Sequence, residues 1–125
     1  MSSYFHLKKV QIPIYRGNLV IIFSDDASKI KSHIDDFDGE DVYGHAIYTM
    51  YKNSESFVLI LNFHNKSCKM KHGVITHEAV HISSFIAESR GFQPDFNNDE
   101  PVAYLAEFVT NEVYKFMKQK KLKAV

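Results

Sequence analysis

The sequence predicts a small α+β domain in which one antiparallel sheet of about four strands packs against helices. Three observations carry that expectation. The first half of the chain holds two apolar runs of strand length, residues 19–23 and 57–61. The second half changes to helical spacing, with Ile75, Ala79, Ile82 and Ile86 in one stripe and Val102, Leu105, Ala106, Val109, Val113 and Phe116 in another. The chain has 125 residues, the size of one domain, here taken as 1–125.

Taken in order, residues 10–15 alternate apolar and other side chains, Arg16-Gly17-Asn18 offers turn chemistry, and residues 19–23 are rich in β formers. This reads as a hairpin, and Pro13 points to an edge position for its first strand. Ser24 is the expected cap of a short helix from Asp25 to about Ile34, with acids in its first turn. An acidic loop follows over 35–44. Residues 45–51 and 56–63 form a second strand pair around Lys52-Asn53-Ser54. A long helix is expected from about Lys71 to Arg90, closed by Gly91. After a loop containing Pro94, a last helix runs from about Asn98 to Lys120, with Pro101 tolerated in its first turn. The order is ββαββαα.

Composition excludes several classes. Fifteen basic and fifteen acidic residues leave no net charge, which argues against a protein built to coat nucleic acid. No apolar run reaches the length of a membrane span, and the first residues lack the apolar core of a signal peptide. A single cysteine, Cys68, cannot form an internal disulfide framework. The expectation is a soluble cytoplasmic protein with no membrane partner. Seven histidines in so short a chain are the first sign of chemistry.

Two of them stand in Thr76-His77-Glu78-Ala79-Val80-His81, an H-E-x-x-H pattern inside the long helix. Residues four apart share a helix face, so both imidazoles can bind one metal from the same side. Glu78 borders that site and can reach a metal-activated water without being a ligand. Zinc would supply Lewis acidity and lower the pKa of water, while the carboxylate relays its proton. The bland alternative is a helix with two ordinary histidines.

A catalytic zinc needs a third protein ligand. The last helix opens Asn98-Asp99-Glu100-Pro101-Val102-Ala103-Tyr104, with Glu100 nineteen positions after His81. Together with Val58-Leu59-Ile60-Leu61-Asn62 and Val74-Ile75 leading into the motif, this resembles the HExxH zinc metallopeptidases of the gluzincin type. It is similar in particular to the small repressor-cleaving peptidases of phages and mobile elements. The resemblance covers about residues 56–114. It implies a minimal zincin-like fold, Zn2+ held by His77, His81 and Glu100, Glu78 as general base, and a peptide or protein substrate along the edge strand of the sheet. Val80 stands where many such enzymes have Gly, and Tyr104 where gluzincins often carry an acid. Tyr104 is a candidate for hydrogen bonding to a ligand or substrate oxygen, with plain packing as the alternative. Glu107 shares a stripe with Glu100, Tyr104 and Asn111 and is the rival third ligand.

Weaker signals have structural explanations. Asp35, Asp36, Asp38, Glu40 and Asp41 do not match the spacing of an EF-hand and read as a solvated loop, with calcium or a basic substrate as alternatives. Lys115, Lys118, Lys120, Lys121 and Lys123 suit a helix C-terminus. His64 and His72 flank the loop before the motif, and Tyr43 is a further candidate oxyanion group. The expected function is a zinc-dependent metallohydrolase, a peptidase. The alternative is a non-catalytic metal-binding or interaction module of a phage or mobile element, since so short a chain has little room to wall off a cleft.

Overall fold

The computed structural model describes residues 4–39, 43–64, 69–93 and 95–125. Expectations about Glu40, Asp41 and Cys68 lie outside the described residues. The elements are β1 (Phe5–Gln11), β2 (Asn18–Ser24), α1 (Ala27–His33), β3 (Gly44–Tyr51), β4 (Ser54–Leu61), α2 (His72–Ser89) and α3 (Glu100–Gln119). The α+β class and the order ββαββαα match the sequence-based expectation.

The sheet is mixed, which corrects the expected antiparallel arrangement. Its order is β1-β2-β4-β3, with β1/β2 and β4/β3 antiparallel and β2/β4 parallel. The reason lies in burial. Leu19, Ile21 and Phe23 of β2 and Phe57, Leu59 and Leu61 of β4 belong to one core cluster with α2 and α3. Val20, Ile22, Val58 and Ile60 belong to a second cluster with Ile30 of α1, Ile34 and Phe37. The two central strands are therefore covered on both faces and read as continuous apolar runs, the pattern of paired parallel strands. Helix α1 makes this possible by carrying the chain from the end of β2 to the far edge, where the β3–β4 hairpin turns it back beside β2.

The first strand lies at an edge as expected, but at Phe5–Gln11 rather than 10–15. Pro13 falls in the following loop, where Ile12 N–H bonds the Gly17 carbonyl at 3.0 Å. That loop needs left-handed backbone at Ile14, Arg16 and Gly17 (φ 68°, 65° and 82°), conformations a strand does not contain. The β3–β4 hairpin turns through Lys52 and Asn53, both left-handed, as a two-residue loop demands.

The short helix is capped further along the chain than expected. Asp26, not Ser24, accepts from Lys29 N–H at 3.1 Å. Ser24 is the buried end of β2, and its hydroxyl donates to the Tyr4 carbonyl at 2.7 Å. Gly91 (φ 79°) follows the C-cap of α2 as anticipated. Helix α3 starts at Glu100 with Pro101 in its first turn and Asp99 at the cap position. The expected stripes of α2 and α3 face the core for most of their length: Ile75, Ala79, Ile82, Ile86, Leu105, Val109, Val113 and Phe116 are buried, while Val102 and Ala106 are half-buried. The Phe23 ring stacks on Phe116 at 4.7 Å, joining sheet to helix. The last residues return to the start of α2, where Val125 N–H bonds the Met70 carbonyl at 2.8 Å and His72 N–H bonds that of Val125 at 3.0 Å. Among the described residues, no helix is long and apolar enough to cross a membrane.

Candidate metal and peptide site between α2 and the edge strand

His77, Glu78 and His81 all lie in α2. Four-residue spacing stacks the two imidazoles on adjacent turns, with Nε2 to Nε2 at 3.1 Å and the rings edge to face at 4.6 Å. Two nitrogens on one tetrahedral zinc would stand about 3.3 Å apart, given bonds of about 2.05 Å. The observed separation is close to that value. Both histidines are exposed, so an ion can reach them.

Glu78 takes a different position. At about 100° per residue it turns off the histidine face toward β3, and only 7% of it is exposed. Gly44, the first residue of β3, packs directly on it. A Cβ at that glycine would lie 2.8 Å from Glu78 Cγ and 2.9 Å from Oε2. The edge strand approaches α2 this closely only because residue 44 has no side chain.

Between the two elements runs a groove of about 330 Å³ formed by Gly44 and Ala46 of β3 and His77, Glu78, His81 and Phe85 of α2. A second hollow of about 530 Å³ continues it past Ala46 and Phe85 to Tyr48, Glu88 and Ser89. Phe85 also stacks with His81 at 6.4 Å and an interplanar angle of 22°. The sequence reading missed Gly44, Phe85 and Glu88. A signal existed for two of them: Phe85 and Glu88 stand four and seven residues after His81, on the same helical stripe.

The other expected site residues do not join the pair. Among the described residues, no group of three His, Cys, Asp or Glu side chains is placed to hold one ion. Glu100 and Glu107 are exposed on α3, and Tyr104 is 40% exposed there. The physical reason is the phase of α2. His72 hydrogen-bonds and stacks with Tyr114 of α3, which marks the flank of α2 that α3 covers. At 100° per residue, His77 and His81 stand about 140° and 180° around from His72, on the far side. Neither Glu100 nor Glu107 is thus grouped with the histidine pair among the described residues. Tyr43 precedes the groove with its ring edge-on to His64 at 4.6 Å, and neither residue lines it.

At the far end of α2 an ionic network ties the layers together. Arg90 donates to Glu55 through Nη1 at 2.9 Å and Nη2 at 2.6 Å, and to the carbonyls of Tyr15 and Arg16. Tyr48 donates its hydroxyl to the same carboxylate. Hydrogen bonds from Arg90 and then Tyr48 hold the Glu55 carboxyl down at about 2. The same contacts raise Arg90 and Tyr48.

A scan against protein-family models finds no match, and searches of curated proteins and of solved structures find no significant one.

Proposed function

We propose that the chain is a zinc-dependent hydrolase acting on an extended peptide, built on a minimal zincin-like plan. One observation carries this reading: a convergent histidine pair, a nearly buried glutamate and an unpaired sheet edge all meet in one groove. His77 and His81 fit two of the protein positions of a zinc site. Glu78 lines the same groove as the pair, so its carboxylate would stand beside an ion held there.

Zinc, when bound, supplies Lewis acidity and a water of lowered pKa. The chain's own residues do the rest. The two imidazoles would hold the ion. Glu78, held in place by Gly44, takes a proton from the attacking water and returns it to the leaving amine. The outer edge of β3 holds the substrate backbone extended by strand addition.

The placement of α3 favours a second reading, a metal-binding or interaction module without turnover, because a catalytic zinc with three protein ligands needs a group that α3 does not bring. Metal analysis of protein purified without added zinc, followed by titration, separates both readings from a metal-free one. About one zinc per chain is expected. No zinc and no binding on titration would remove the hydrolase and the metal-binding module alike, leaving only an interaction module without metal.

A further inference from the structure

The sheet has two edges, and they are protected differently. Strand β1 carries Lys8 and Lys9, the kind of charge that blocks unwanted strand addition. Strand β3 runs Gly-His-Ala-Ile-Tyr-Thr-Met-Tyr, with no lysine, arginine, acid or proline. Tyr48 is 46% and Met50 64% exposed along it. An unguarded edge of eight residues with exposed apolar side chains is a surface that pairs with another strand.

The carboxylates that line the groove, Glu78 and Glu88, meet no lysine or arginine among the described residues of that lining. On the α2 side Glu88 stands in the groove with no partner among the described residues. On the α1 side Asp36 accepts from Thr49 Oγ1 at 2.6 Å, and Asp38 lies 3.4 Å from His45 Nε2. Among the described residues, no lysine or arginine lines either part of the groove. Three described cations stand near this edge and each is engaged: Arg90 with Glu55, Lys31 with the carbonyls of Asp35 and Phe37 at 3.1 Å each, and Lys52 over the Tyr51 ring at the end of β3. From the histidine pair to Glu88 the helix rises about 13 Å, the reach of about four residues of extended chain.

We infer that this groove selects extended peptide segments carrying a lysine or arginine about four residues from the point that faces His77 and His81, its cation set against Glu88. The inference rests on reading the groove as a peptide site and does not require that the peptide be cut.

The test is titration of the full chain carrying Glu78→Gln with a neutral, β-prone ten-residue peptide in which Lys, Gln or Glu is placed at each position in turn. At one or two positions Lys should bind about tenfold more tightly than Glu, with the gap shrinking as salt rises. Glu88→Gln should erase the preference and Glu88→Lys reverse it; both substitutions are at an exposed position, so the fold is retained. Equal affinity for Lys and Glu at every position would overturn the inference, as would a preference that survives Glu88→Gln. A dimer sealed through β3 that no peptide displaces would overturn it too. If the Lys preference holds but the wild-type chain cuts none of these peptides, the hydrolase reading fails and the charge selection stands. Cutting without any charge preference would leave the hydrolase standing and overturn the charge selection.

Discussion

Gly44 lies against Glu78 so closely that one added methyl group would meet the glutamate at 2.8 Å. This contact joins the edge strand to the helix that carries the histidines, and it fixes where the carboxylate can point.

Gly44→Ala should therefore destabilise the fold by about 1–3 kcal/mol, the usual cost of overpacking. In a Glu78→Ala background the same change should cost less than about 0.5 kcal/mol, because the clashing atoms are gone. Chemical denaturation of the four proteins of this double-mutant cycle measures the coupling. Additive effects would show that the two residues do not press on one another.

The Glu55–Arg90 pair sets a pH dependence. The Glu55 carboxyl is lowered from 4.5 to about 2 in the folded chain. A group with a depressed folded pKa contributes stability above its unfolded pKa and loses it as pH falls through the folded value. Unfolding free energy should drop between about pH 4.5 and pH 2, and Glu55→Gln should flatten that part of the profile. At pH 7 the substitution should cost about 1–2 kcal/mol, since the pair is partly exposed at 22% and 31%. A profile unchanged by Glu55→Gln would place the acid sensitivity elsewhere.

Zinc affinity should separate the two helices. His77→Ala and His81→Ala should each weaken zinc binding by at least about a hundredfold, as loss of one of a few ligands does. Glu100→Ala and Glu107→Ala should change it less than about threefold, because neither carboxylate is grouped with the histidine pair among the described residues. Competition titration against a chromophoric chelator measures all four. A large loss with Glu100→Ala would mean that α3 reaches the metal in the loaded state.

These sites differ in how far they could be read from the sequence. The histidine pair was legible because helical period alone brings residues 77 and 81 together. The third position was not. The gap of nineteen residues between His81 and Glu100 says nothing about which flank of α2 the next helix will cover. The packing of the two helices decides that, and the His72–Tyr114 contact is one part of it. Gly44 was equally hidden, since its role depends on how near an edge strand comes to a helix far away in the chain. In the sheet, the apolar runs at 19–23 and 57–61 identified two strands correctly. Their lack of alternation also held the sign of burial on both faces, and hence of parallel pairing, which the expectation of an antiparallel sheet overlooked. Strand β1 was misplaced because Pro13 and the apolar residues around it mimic alternation in what is a left-handed loop.

Burial on both faces has its own consequence. Leu59 of β4 is fully buried beneath α2 and α3. Leu59→Ala should cost about 2–5 kcal/mol in denaturant unfolding, the range for a buried leucine whose cavity cannot collapse. A cost under about 1 kcal/mol would mean that the helices are not packed on that face of the sheet.

Glu78 decides between turnover and mere metal binding. The direct measurement is hydrolysis of a lysine-containing peptide by zinc-loaded wild-type chain and by Glu78→Gln at equal metal content. The proposed role predicts that Glu78→Gln keeps about one zinc per chain and loses at least about a hundredfold in rate, the usual worth of a positioned general base. Equal rates in the two proteins, with zinc bound in both, would contradict it.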